Sequence, residues 1–481
     1  MLVMRVLYAL LASLMSSLDD ASDPRPALPD LYEASVTELQ VGLDAGHFTS
    51  VYLVKAYLAR IDEVNLKGPE LRAVLEINPS ALGQAAILDK ERERFGRRSL
   101  LHGIPVLLKD NIATNVSEGM NTTAGSFGLL RSIVPDDAGV VKRLRKAGAI
   151  ILGKINLSEF SQARGKLASG WSGRGGQGTG AYFPHADPCG SSSGSGVAAS
   201  IGLAAITLGS ETDGSITCPW SNNNLVGIKP TVGLTSRAGV IPISNHAIRK
   251  RIGVPRRVFL NESITRNDPF VNVAFEEALQ TIEPLGNETF VLTVDLKIQL
   301  TAYFNELLTN PSGVRSIAQL IQFNDNNAQL EKPPRYEDQS IFLRARSIEG
   351  MNSTYYALLA TNKDLGATRG IDAALKAHNL DALVLPAPGF TTVPADIAGY
   401  PIVTVPLGFY PSNVTIGLAG PETVYPAPGV PFGLSFLGTA FSEMELISFA
   451  FAYEQKTQTR LKRKAFFEGI PKTQLIDVIE K

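Results

Sequence analysis

The apolar positions of the chain follow two different periods. In "SVTELQVGLDAG" they recur at helical spacing; Ser35 and Glu38 form a capping-box pair at the start and a glycine closes the segment. In "TSVYLVKAYLARIDEVN" the side chains of Leu53, Val54, Tyr57, Leu58 and Ile61 share one helical face, so both segments predict surface helices. "GIPVLLKDNI" is instead a short apolar run ending in a charge, which suits a buried strand that delivers Lys109 to its end. "AGVVKRLRKAGAIILGKINLSEF" reads as helix, glycine stop and strand. The alternation continues through "DALVLPAPG" and "YPIVTVPLGF" to a helix at "FSEMELISFAFAYEQK". Strands alternating with helices predict an α/β fold, a central mixed β-sheet covered by helices on both faces. Without an internal repeat or low-complexity linker, one large domain is the expectation for the 481 residues.

Composition narrows the partners. The formal net charge is −1, which gives no field to attract nucleic acid or an acidic membrane surface. A small, nearly neutral or polar partner fits better, with no nucleic acid and no obligate protein partner. Residues 1–17 read as a signal peptide, because one arginine precedes an apolar run too short to span a bilayer. Asn-x-Ser/Thr sites at Asn115, Asn121, Asn261, Asn287, Asn352 and Asn413 agree with a secreted protein, the alternative being a cytoplasmic one. Cys189 and Cys218 are too few for a disulfide framework, and no histidine stands at zinc-ligand spacing from them. They are expected to be small packing residues, and no metal or cofactor is expected.

Three glycine- or serine-rich stretches are candidates for chemistry. Gly173, Gly175 and Gly178 match a dinucleotide-binding pattern, but neither a strand before it nor a helix after it supports that use, and a flexible loop is the better reading. Gly190, Ser192 and Gly194 match a nucleophile elbow, yet the preceding "HADPCG" is no strand. An apolar helix is expected from "SSSGSGVAAS" to just before "GSETDGS", joining two serine/glycine loops. Backbone N–H groups of Thr212, Asp213, Gly214 and Ser215 could cradle an oxyanion, or the same residues could be a glycine turn packed on the sheet. Composition leaves these two readings level. If Ser215 is a nucleophile it needs a base, and none of the five histidines lies near it in sequence.

Several segments in order resemble the amidase signature family: "GIPVLLKD", "GSSSGSGVAASIGLAAITLGSETDGSI", "NNNLVGIKPTVGLTSRAGVIP", "AGYPIVTVPLGF" and "VPFGLSFLGTAFSEMELISFAFAYEQ". The resemblance runs from about Thr37 to about Gln455, closest to secreted members of fungal and plant type. It implies one domain over residues 18–481 and hydrolysis of carboxylic amides through an acyl-serine. It also implies a Ser-cisSer-Lys triad: Ser215 as nucleophile, Ser191 after a cis peptide bond, and Lys109 as base, so that no histidine is needed. Two departures are Asp213, where many members have glycine, and Thr217, where many have arginine. A third lies in "GVIPISNHAIRKRIGVP": a parallel crossover takes a dozen or more residues, so the chain reads as shortened near 244–252, and again near 281–290. A catalytically impaired or truncated family member is therefore one alternative. Another is an amidotransferase A-type subunit.

Overall fold

The computed structural model describes residues 28–244, 288–387 and 392–480. The expected signal peptide and most of both expected shortenings lie outside these residues. In chain order the elements used below are α1 (Val36–Asp44), α2 (Ser50–Val64), β1 (Val74–Ile77), α3 (Ala81–Phe95), β2 (Pro105–Lys109), α4 (Gly139–Ala147), β3 (Ile150–Ile155), α5 (Ser193–Ser200), β4 (Ile206–Leu208), α6 (Thr217–Asn222), β5 (Gly227–Lys229), α7 (Glu288–Glu306), β6 (Leu383–Pro386), α8 (Val393–Ala398), β7 (Ile402–Phe409), β8 (Pro431–Leu437) and α9 (Glu443–Thr457).

The local chemistry explains the early elements. Ser35 accepts the Glu38 N–H while the Glu38 carboxylate accepts the Ser35 N–H, so the capping box of α1 is complete. Thr49 caps α2 in the same way, through the Tyr52 N–H. Helix α4 stops at Gly148 (φ 87°), a left-handed position that glycine reaches without a Cβ penalty, and β3 follows at once.

The fold is mixed α/β as expected; among the described residues the strands form two four-stranded sheets and one two-stranded hairpin. The first has the order β1-β3-β2-β4, with β2 parallel to both β3 and β4 and β1 antiparallel to β3. The second, β5-β7-β8-β6, is antiparallel throughout. Both faces of the first sheet are covered. Leu107 packs with α1, α2 and α3 through Leu39, Leu53, Tyr57 and Ala85, whereas its neighbours Val106 and Leu108 pack with α4 and α7 through Val141, Leu144, Leu296 and Leu300. Side chains alternate along a strand, so Lys109 leaves β2 on the Leu107 side, toward α5.

One expected element is shorter than the sequence suggests. The apolar segment after the Gly-Ser-Ser loop is helical only to Ser200; it then turns, and Ile206–Leu208 extend alongside β2 as β4. The β-branched Ile206 and Thr207 favour this pleated position over a helix interior. Gly173–Gly178 span a short antiparallel hairpin (Trp171–Ser172 with Gly176–Gln177), so no dinucleotide loop forms there. No described helix is long and apolar enough to cross a membrane.

Candidate active site

Three elements converge on one buried point: the end of β2, the loop leading into α5, and the loop between β4 and α6. Lys109 is fully buried, and its Nζ donates to Ser191 Oγ at 2.7 Å, Ser192 Oγ at 2.9 Å and the Ser210 carbonyl at 3.1 Å. Burial strips the ammonium of water and pulls the Lys109 pKa down to about 7, against the opposing pull of the Glu211 charge. A neutral amine has a lone pair and needs a donor in return. The Ser192 hydroxyl donates to the Ser210 carbonyl at 3.1 Å, so the Ser191 hydroxyl is the one whose proton can turn toward Lys109.

The loop carrying Ser191 is held from below. The Gly190–Ser191 peptide bond is cis, and the Ser191 carbonyl accepts the Ser158 N–H at 3.1 Å. A Cβ on Gly190 would lie 2.3 Å from Ser158 Oγ, so only glycine fits.

Ser215 ends the second loop, directly before α6, and stays 7% exposed while Ser191 is fully enclosed. Its carbonyl accepts the Ser192 N–H at 3.0 Å, which joins the two serine loops. Glu211 shapes the turn: its Oε2 accepts the N–H groups of Ile216 and Thr217, and Thr217 Oγ1 lies 3.4 Å from Oε1. Gly214 has φ 71°, a left-handed conformation that glycine adopts without a Cβ penalty. Its N–H donates to Asp396 Oδ2 at 3.3 Å and is thereby engaged, unlike the free cradle donor expected of it.

Cys189 and Cys218 correct the reading as separate packing residues. They form a disulfide, with Cα atoms 5.8 Å apart, that fastens the residue before Gly190 to the first turn of α6. Two cysteines give no spacing pattern from which such a pairing could be read. The sequence does not mark Ser192, Glu211 or Asp396 for these contacts: Ser192 stands out only in the elbow pattern, and Asp396 is brought to Gly214 from far along the chain.

Lys154, the other lysine near the site, is equally buried, with its pKa lowered to about 8 by desolvation. Its Nζ donates to the Ile112 carbonyl at 2.6 Å and to Thr122 Oγ1 at 3.0 Å, so it faces away from both serines. A cavity of about 700 Å³ adjoins the site; Gly209 to Thr212 and Ile216 form one wall, Asn111 and Ser161 another. Among the described residues no group of His, Cys, Asp or Glu is arranged to hold a metal ion.

A buried lysine on a parallel strand, in contact with a serine after a cis bond and next to a second serine loop, invites comparison with known proteins. The Amidase family model matches residues 52–254. A probable amidase of Arabidopsis thaliana is 37% identical over 521 aligned positions, covering 95% of this chain and 96% of its own. A putative amidase of Arthroderma benhamiae is 35% identical, covering 94% and 90%. The native peptide amidase of Stenotrophomonas maltophilia superposes with a TM-score of 0.74 at 36% identity, covering 92% of this chain and all of that one. The chain belongs to the amidase signature family and is an amide-hydrolysing enzyme.

Proposed function

We propose that the enzyme hydrolyses linear carboxylic amides through an acyl intermediate on Ser215, with Ser191 and Lys109 relaying the proton. The observation that carries this reading is the 2.7 Å contact between Lys109 Nζ and Ser191 Oγ in a fully buried setting. Neutral Lys109 draws the proton of Ser191, and the Ser191 oxygen takes that of Ser215. The Ser215 oxygen attacks the amide carbonyl and forms a C–O bond. The oxyanion that develops is met by backbone N–H groups of the turn, for which Thr212, Asp213 and Ser215 are the candidates now that the Gly214 N–H is engaged. The proton then returns through Ser191 to the amide nitrogen, the C–N bond breaks, and the amine leaves. Water enters along the same relay and releases the acid from Ser215.

Peptide amides are the first substrates to try, because the Stenotrophomonas relative is a peptide amidase by name. Relatives named as A-type subunits of glutamyl-tRNA(Gln) amidotransferase are 27% identical, against 37% for the plant amidase, which favours a chain that acts alone. The Cys189–Cys218 bond adds to the leader and the sequons in favour of a secretory route, since disulfides persist in oxidising compartments. The shortened domain is also part of the proposal: the alignment to the plant relative is longer than this chain, so that relative has residues without counterpart here.

Replacing the nucleophile tests the reading. Ser215→Ala is expected to abolish amide hydrolysis with the thermal melt unchanged. More than trace turnover by the folded variant would contradict it.

A further inference from the structure

Asp396 has no part in the relay, yet it reaches the nucleophile turn from the other sheet. It sits on α8, is 1% exposed, and accepts the Gly214 N–H at 3.3 Å. Gly214 immediately precedes Ser215 and has φ 71°, so its peptide plane sets the direction in which the serine leaves the turn. Asp396 is also joined by a side-chain hydrogen bond to Glu211. Two carboxyl groups can share a hydrogen bond only if one of them carries a proton. The other groups facing Asp396 are the Asp213 carboxylate and Lys229, whose Nζ is 3.6 Å from Oδ1. Oδ1 accepts no hydrogen bond among the described residues, so that ammonium acts on it as a charge at a distance.

Glu211 supplies the other half of the arrangement. Its Oε2 accepts the backbone N–H groups of Ile216 and Thr217 and so holds the far end of the same turn. Desolvation and the Glu211 charge push Asp396 well above the usual carboxylate range. Three acidic side chains and one lysine thus meet beside the serine, and the proton is what keeps the acids together.

We propose that Asp396 is a positioning residue for amide hydrolysis: buried beside Glu211, it clasps the Gly214 N–H and fixes the Thr212–Ser215 turn against the Ser191 loop. The inference rests on Ser215 being the nucleophile. When the shared proton is lost as the pH rises, Asp396 and Glu211 repel each other, with Asp213 adding to the repulsion and Lys229 alone opposing it. The clasp on Gly214 loosens and the serine drifts from its line of attack. That loosening reduces turnover as the pH rises.

The test compares Asp396→Ala and Asp396→Asn with the parent chain and with Ser215→Ala, on one amide substrate from pH 6 to about 10. Asp396→Ala is expected to lower kcat about 10- to 100-fold, the cost of a misplaced reacting group, with KM changed far less. Asp396→Asn is neutral at every pH, can donate to Glu211 and can accept from Gly214. It is expected to recover much of the lost kcat and to lack the alkaline fall of the parent. Parental kcat in Asp396→Ala, or an alkaline limb unchanged in Asp396→Asn, would overturn the inference. Should Asp396→Ala fail to fold, the pH profile of Asp396→Asn decides alone. Turnover remaining in Ser215→Ala would mark a failure of the nucleophile assignment rather than of Asp396.

Discussion

Lys109 and Lys154 are both buried without a carboxylate bonded to them among the described residues, and only their hydrogen-bond partners separate the proposed base from a strut. Lys109 faces two serine hydroxyls, whereas Lys154 faces a carbonyl and a threonine. Lys109→Met is therefore expected to remove nearly all activity from a folded chain. Lys154→Met should act mainly on stability, by about 1–3 kcal/mol for the acceptor left unpaired, as read by thermal melts and steady-state rates. Greater loss of rate in Lys154→Met at equal stability would reverse the assignment. The base must be neutral to work, so protonation removes it. With the Lys109 pKa drawn down to about 7, kcat/KM should rise with pH through that region and fall about tenfold per unit below it. An acid limb near 10 would mean that the lysine is not desolvated during catalysis.

The active elements are two loops and the short helices they enter, fastened by the Ser192–Ser215 backbone bond and the Cys189–Cys218 disulfide. Closing a loop across a sequence separation of 29 removes freedom from the unfolded chain equivalent to about 3–4 kcal/mol. Replacing both cysteines by serine is expected to lower the melting temperature and to reduce kcat more than it raises KM. An unchanged melt and rate would show that the bond does not brace the site. Much of this level was legible beforehand. The capping box, the Gly148 stop and the apolar run ending in Lys109 are local signals, and each yielded the element it suggested. The strand Ile206–Leu208 was not legible, because a short apolar run has no period of its own and continued a helical one. Cys189–Cys218 and Asp396–Gly214 are meetings made by the tertiary fold, and no window of sequence contains them.

Across the whole molecule, the Ser215 turn is the bridge between the two sheets: it leaves β4 of the first and enters α6, which packs on the second. Ser221 accepts the Gly433 N–H from β8 at 2.7 Å, and Trp220 packs so closely on Gly227 that a Cβ there would lie 2.5 Å from the ring. The nucleophile turn thus depends on how both sheets dock. A domain lacking a covering segment returns apolar surface to water at roughly 25 cal/mol per Å². On this basis the chain is expected to melt below the Arabidopsis relative in calorimetry under matched conditions. An equal or higher transition would contradict the proposed loss of a covering segment.

The proposed acyl-serine intermediate can be sought directly. The intact protein would be mixed with an activated amide or ester of a slowly hydrolysed acid, quenched in acid within one turnover, digested and measured by mass spectrometry. The acyl mass is expected on the peptide containing Ser215, absent in Ser215→Ala and accumulating less in Lys109→Met. Catalytic turnover with the acyl group on another side chain, or with Ser215 unmodified under conditions that trap a burst, would contradict it.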